Sequence, residues 1–281
     1  MKQGKLYLVA TPIGNLSDIS KRALETLQNV DFIAAEDTRV TRKLLTHYAI
    51  KTKIVSYYHH NRSESGEKII GRILKGENCA LVTDAGTPSI SDPGEDLVKL
   101  CVSRNIEIII IPGPCAAIAA LALSGLCATR FTFEGFLPSH NKKRLTELNL
   151  LKTESRTMVF YEAPHKLLHT LSDMLEVFGD RHISISRELT KIYDETLRFL
   201  LSEAIVYFEQ NAPRGEFVLV IDGCKSSPRS DKDKMDEALE TATELIESGL
   251  SLKDAVKRAA DELRCSKNEL YSAMIDRQTS D

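Results

Sequence analysis

Short, nearly unbroken apolar runs that stop abruptly on rigid turns set the tightest limit on how this chain can fold. "KLYLVA" (5–10) ends on Thr11-Pro12-Ile13-Gly14-Asn15, and "DFIAAED" (31–37) ends on acids. "CALVTD" (79–84) runs into Ala-Gly-Thr-Pro, and "IEIIIIPG" (106–113) leads into Pro114. Runs this short are strands, and continuous rather than alternating apolarity fits parallel strands covered on both faces. Between the first two runs, "LSDISKRALETLQNV" gathers Ile19, Ala23, Leu24 and Leu27 on one helical face, with Ser17 or Asp18 as the capping candidate. Strand and helix alternate, so the expected class is α/β with a parallel-rich N-terminal sheet.

The second half reads differently. "CAAIAALALSGLCA" (115–128) is small and apolar, too short to cross a bilayer, and reads as a helix packed between layers. Strand-like runs follow at 131–136, 156–164, 182–189, 196–201 and 215–223, with helices near 140–152 and 165–178. Hairpin and crossover spacings are mixed, which predicts a mixed sheet. "KSSPRSDKDK" (225–234) has linker composition. Beyond it come short helical patterns, with Ser251 and Ser266 as caps and Glu269 placed for a capping box with Ser266. The expected domains are therefore 1–113, 114–224, and a small helix-turn-helix-like module with its linker at 225–281.

A chain of 281 residues exceeds a typical single core, in line with that division. A net charge of −3 gives no global attraction to nucleic acid, so any such contact needs a local patch. The six cysteines are scattered with no C-x-x-C pair, most sit in apolar runs, and they read as reduced, buried residues, without disulfides or a zinc site. No segment reads as a signal peptide or a membrane span, and a cytoplasmic protein is expected.

Four turns fall at strand C-termini: 11–15, 35–39, 84–88 and 112–114. In an open α/β sheet, ligands bind at that edge. Glycine there lets backbone approach a ligand, and proline fixes the loop before binding. None is a nucleotide phosphate loop: G-x-x-x-x-G-K-[ST] is absent, and no G-x-G-x-x-G follows the first strand. A rigid, phosphate-poor cleft suits a ligand held through adenine, ribose and a charged tail.

Together, "LYLVATPIGNLSDIS", "AAEDTR", "LVTDAGTPSISDPG", "IPGPCAAIAAL", "FEGFLP", "FYEAPHKLL" and "RELTK" resemble the tetrapyrrole methylase superfamily. Within it they are most similar to the branch that methylates ribose 2′-hydroxyls of bacterial 16S ribosomal RNA. The resemblance runs in order to about residue 223. It implies two α/β domains around an S-adenosylmethionine cleft, usually in a homodimer, acting on a cytidine in the decoding region of the 30S subunit. Partners would be 16S RNA within that particle, with neither DNA nor membrane. The superfamily's G-x-P signature falls on Gly86-Thr87-Pro88, with Thr87 where tetrapyrrole methylases usually carry Asp; Asp84 would then supply the carboxylate. By the same resemblance Pro12, Gly14, Ile90 and Ser91 belong to the cofactor loops. Cys115 and Ala116 would approach the methionine portion, and Ala163, Leu189, Gly215 and Glu216 would close over the adenine.

Removing the hydroxyl proton during attack would assist methyl transfer. The candidate acids are Glu36, Asp37, Glu162 and Glu188, each of which could instead serve a salt bridge, with Arg39 and Arg187 as obvious partners. Arg39 and Arg187 could equally clamp phosphate, and Lys191 is a weaker candidate for that task. "HHNR" (59–62) with Tyr57 and Tyr58, and the basic run Lys142-Lys143-Arg144, are either solvated surface or RNA contacts, while the terminal module serves either packing or dimer support, or RNA docking through Lys253, Lys257, Arg258 and Lys267. Two other functions fit the same residues: methylation of a corrin or other tetrapyrrole, and a ribosome-assembly factor that binds the cofactor without turnover.

Overall fold

The computed structural model describes residues 3–57, 62–225, 231–263 and 265–278. The chain forms two compact units, 1–224 and 225–281.

The first unit holds two five-stranded sheets. The first sheet contains β1 (Leu6–Val9), β2 (Phe32–Ala35), β3 (Lys53–Ser56), β4 (Cys79–Val82) and β5 (Ile108–Ile111). They lie in the order β3-β2-β4-β1-β5, all parallel. Period-two alternation explains the unbroken apolar runs. Leu6, Phe32, Ala34, Cys79 and Leu81 point to one face, where they meet α3 (Arg62–Leu74) and α4 (Glu95–Ser103). Val9, Ile33, Ala35, Ala80 and Val82 point to the other, against α1 (Lys21–Asn29) and α2 (Thr38–His47). Each fully buried Leu or Ile in these layers contributes about 2 kcal/mol of transfer free energy.

The second sheet contains β6 (Phe131–Phe136), β7 (Thr157–Glu162), β8 (His182–Arg187), β9 (Glu195–Leu200) and β10 (Phe217–Ile221). Its order is β6-β7-β10-β8-β9, and only β6 and β7 are parallel. One face carries α5 (Ala116–Ser124). The other carries α6 (Asn141–Leu150), α7 (Leu167–Phe178) and α8 (Leu201–Gln210). The expected class, a parallel-rich sheet followed by a mixed one, is what the chain adopts.

Local expectations fared unevenly. The first helix starts at Ser20, whose hydroxyl accepts the Ala23 amide at 3.1 Å. Residues 16–18 form a separate 3₁₀ turn capped by Asn15. Arg144 is not a phosphate contact: it is buried under α6, with its Nε 2.6 Å from Asp173. Lys142 and Lys143 beside it are exposed. Tyr57 is fully buried in the first core and offers no stacking face. Tyr58 to Asn61, and so most of the "HHNR" stretch, lie outside the described residues. All six cysteines are free, but only Cys79 and Cys101 are buried, and Cys127 is exposed.

The second unit contains α9 (Asp231–Glu247), α10 (Leu252–Leu263) and α11 (Lys267–Gln278) around Ala238, Ala242, Val256, Ala259, Ala260, Leu270 and Met274. The small residues allow close helix approach. Ser251 caps α10 by accepting the Asp254 amide, and Ser266 accepts the Glu269 amide ahead of α11. Among the described residues, no helix is long and apolar enough to cross a membrane.

Candidate active site

The C-terminal turns of β1, β2, β4 and β5 meet at one rim of the first sheet, and hydrogen bonds stitch them together. Thr11 and Gly86 exchange backbone bonds at 2.9 and 3.1 Å as an isolated antiparallel bridge. The Thr11 hydroxyl donates to the Thr83 carbonyl at 3.1 Å, and the Thr87 hydroxyl donates to the Pro114 carbonyl at 3.1 Å. Asp84 Oδ1 accepts the Asp37 amide at 3.1 Å, and the Thr83 hydroxyl donates to Glu36 Oε2 at 3.1 Å. Gly86 has φ of +84°, which suits glycine alone at low cost.

Opposite stand the ends of β7 and β8 and the start of β10. Phe217 pairs with both Glu162 and Arg187, so these positions share one edge of the second sheet. Gly14 lies so close to this side that a Cβ on it would meet the Lys191 side chain at 2.5 Å and the Leu189 carbonyl at 3.0 Å. The Asn15 amide donates to the Thr190 hydroxyl at 3.1 Å.

Between them is a cavity of about 400 Å³. Of the expected cofactor residues, Asp84, Gly86, Thr87, Ile90, Ser91, Cys115, Ala116, Ala163, Leu189 and Glu216 line it. Glu36, Glu162 and Glu188 of the expected catalytic group do so too. Pro12, Gly14, Pro88 and Gly215 shape the turns behind the lining. Gly215, with φ of +83°, leaves the room that the Glu188 side chain occupies. Asp37, Arg39 and Arg187 are not among the lining residues. Asp37 caps α2 and is chelated by Arg39, which holds its carboxyl down at about 2. Arg187 pairs with Glu195 at 2.7 Å.

The lining also includes Ile13, Asp92, Phe136, Tyr161 and Val218. Asp92 is the chemically important addition. Burial raises its carboxyl to about 6, with the charges of Glu36 and then Asp84 adding to the rise and the Thr83 hydroxyl opposing it. Burial pushes the Tyr161 phenol up to about 12, with Cys115 beside it, while its oxygen accepts the Ala117 amide at 3.2 Å. The signal for Asp92 was present as the second Asp-Pro-Gly of the "GTPSISDPG" loop. For Phe136 and Tyr161 no local pattern separates a cavity-lining aromatic from a core one.

The carboxylates of the second side are held by lysines. Glu162, 2% exposed, accepts the Ala163 amide at 2.8 Å and the Thr170 hydroxyl at 2.6 Å, with Lys166 at 3.4 Å. Lys191 lies 2.9 Å from Glu188 and 3.1 Å from Glu216. Burial pulls the Lys191 pKa down, but these two hydrogen bonds outweigh it and raise it. Among the described residues Lys191 is the sole cation lining the cavity, and it is engaged by carboxylates. The chemistry is thus apolar and acidic, with bare backbone at Ala85, Gly86 and Ala116. It fits a ligand with an apolar body and positive charge, and it disfavours a phosphate chain.

A parallel sheet and a mixed sheet meeting over an acid-and-backbone cavity define a methylase-type fold. Residues 5–205 match the family of Tetrapyrrole (Corrin/Porphyrin) Methylases. Solved structures agree on the fold. Diphthine synthase gives a TM-score of 0.63 at 14% identity, covering 78% of this chain and 90% of that one. Uroporphyrin-III-C-methyltransferase from Thermus thermophilus gives 0.56 at 18% identity, covering 78% and 94%.

Curated relatives are much nearer in sequence. "Ribosomal RNA small subunit methyltransferase I" of Synechocystis sp. is 47% identical over 277 residues, covering 97% of this chain and 98% of that protein. The proteins of the same name from Bacillus subtilis and Escherichia coli O157:H7 are 46% and 42% identical, covering 96% and 98% of this chain and 94% and 96% of theirs. The chain belongs to the tetrapyrrole methylase family, in the branch that carries this name.

Proposed function

We propose that this chain transfers a methyl group from S-adenosylmethionine to the ribose 2′-hydroxyl of a cytidine in the decoding region of 16S RNA. The substrate is the 30S particle in the cytoplasm, and the enzyme works as a homodimer. In this reading 1–113 and 114–224 are its two methylase domains and 225–281 an appended module. The observation that carries the reading is the stitched rim of the first sheet facing an acidic, phosphate-poor cavity, in a chain so similar to relatives named for small-subunit RNA methylation. S-adenosylmethionine bound there would supply an electrophilic methyl group on a sulfonium.

The protein's part is then placement. Ile13, Ile90, Leu189 and Val218 would enclose the apolar body, and the backbone at Gly86, Ala116 and Ala163 would meet the donor's polar edges. Asp84 and Glu216 would face its positive or hydroxyl-bearing groups. Arg39, exposed at the rim beside Asp84 and anchored by Asp37, would be available to RNA phosphate. Lys142 and Lys143 offer a second exposed basic contact.

Mass spectrometry of 16S RNA fragments from a deletion strain, with and without the restored gene, tests this. Loss of one ribose methyl on a cytidine, recovered on complementation, is expected. An unchanged methylation pattern would reject the reading.

A further inference from the structure

We propose that Phe136 is the stacking platform for the base of the nucleotide methylated in this cavity, so that the nucleotide enters unpaired and turned out of its neighbours' stack. This rests on the reading above that the substrate is RNA, and adds how the RNA is held.

A break in the strand aims Phe136. β6 and β7 are parallel, with Phe133 opposite Val159. The register then shifts: Gly135 stands opposite Phe160 and Phe136 opposite Tyr161, which leaves Glu134 without a partner across the pair. Gly135 takes a φ of +65°, open to glycine at low cost. Bulges are rare between parallel strands and recur beside active sites, where they re-aim a side chain. Plain alternation would put Phe131, Phe133, Gly135 and Leu137 on one face and send Phe136 into the opposite core. With the extra residue the pattern inverts. Leu137 packs into that core with Phe160, and Phe136 joins Phe133 and Tyr161 on the face that meets the cavity.

The result is a large apolar ring left in the open. Among the described residues, the aromatic rings that line the cavity are Phe217, which is buried, Tyr161, which is half-buried, and Phe136, which is 55% exposed. A lone exposed Phe on a surface needs no explanation, but one aimed into a reactive cavity by a bulge does. Its support is rigid. The Tyr161 ring lies 5.4 Å away at 58°, and its oxygen accepts the Ala117 amide at 3.2 Å. Phe133 meets the same Tyr161 ring edge-on at 5.1 Å. Lys166 Nζ stands 6.0 Å from the Phe136 centroid, at the limit of a cation–π contact, and pairs with Glu162 at 3.4 Å.

The surroundings of the ring say what covers it. In the reading above the donor's polar edges meet backbone at the rim of the first sheet, whereas Phe136 stands on β6, the outermost strand of the second. From there the chain runs into α6, whose first turn exposes Lys142 and Lys143. A flat ring followed by exposed cations is how single-stranded RNA sites combine base stacking with phosphate contact. A ribose cannot be brought to a recessed cavity of about 400 Å³ while its base stays stacked in a helix. The nucleotide must be extruded, and its base then needs a new surface. Phe136 supplies it. Every base has a π-face, so the ring holds the nucleotide without itself choosing cytidine.

The test uses the full chain, 30S particles lacking this methylation, and labelled S-adenosylmethionine. Phe136→Ala should lower kcat/KM for the particle roughly 5- to 150-fold, mostly as a higher KM. Donor affinity by calorimetry without RNA, and sedimentation of the protein, should match wild type. Phe136→Leu keeps apolar bulk without a planar face and should behave like Phe136→Ala. Phe136→Tyr restores the ring and should recover most of the loss. Phe136→Ala within twofold of wild type, or Phe136→Leu equal to it, would overturn the proposal. So would a Phe136→Ala protein whose donor affinity or sedimentation falls in step with activity, because the ring would then serve the donor or a second copy of the chain. Wild-type protein that leaves the particle unlabelled would remove the RNA reading and the proposal with it. A labelled wild type isolates a failure at Phe136 alone.

Discussion

The two sides of the cavity treat negative charge in opposite ways. On the side of the second sheet, Glu162, Glu188 and Glu216 each meet a lysine within 3.4 Å. On the side of the first sheet, Asp84 and Asp92 are set among backbone, hydroxyls and other acids, and burial raises both pKa values. The paired side balances its charges and holds its shape. The acid-rich side is built to welcome positive charge or a proton. The difference separates framework from chemistry within one cavity, although every residue involved is a common surface type.

The largest effect should come from unbalancing the framework. Lys166→Met leaves the Glu162 carboxylate, 2% exposed, without its cation and should cost about 3 kcal/mol in urea unfolding at pH 7.5. A loss below about 0.5 kcal/mol would mean that the two hydrogen bonds to Glu162 suffice and that the contrast between the sides is overstated. Next, Gly14→Val should drive the two sides apart, because the Leu189 carbonyl and Lys191 stem occupy the space. A shift of about 1 Å in the reacting geometry should cut kcat/KM on 30S particles by roughly a hundredfold. Unchanged kinetics would show that the sides adjust independently.

A smaller effect, opposite in sign, is expected from Asp92→Asn. The carboxyl titrates near 3.8 when unfolded and near 6 when folded. The folded form therefore binds more protons between these values, and wild-type stability falls as pH rises from about 4 to 6, then stays level. Asn carries no such penalty. The variant should be more stable than wild type above pH 6, by about 1 kcal/mol after allowance for solvent screening of a half-exposed group, and the gap should close by pH 4. Thermal melts at pH 4 and pH 8 decide it. The smallest change is expected of Lys191→Met, about 0.5 kcal/mol at low salt and less at 0.5 M salt, since its partners are partly solvated.

The first sheet was legible because burial on both faces writes itself as unbroken apolarity, and the rim was legible because its turns are spelled in Gly, Pro and Asp. β3 and α2 to α4 were not: Lys53–Ser56 is an edge strand with an exposed–half-buried–half-buried–exposed pattern and resembles loop. The acids were visible, but which of them are spent on lysines depends on contacts between strands far apart in the chain. Arg144 shows the same limit, since a basic run at 142–144 hides one buried pair with Asp173, 29 residues away. Asp92 stands in plain view in the Gly- and Pro-rich loop after β4. It takes the packing of β2, β4 and β7 around it to set it apart from its neighbours.

Phe136 gives the cavity an optical use. It is 55% exposed, lines the site and sits 5.4 Å from the Tyr161 ring. The chain has no tryptophan. An indole placed at 136 would be its sole long-wavelength fluorophore, so its emission colour and quenching would follow arrival and departure of the donor in real time, against a background of tyrosine alone.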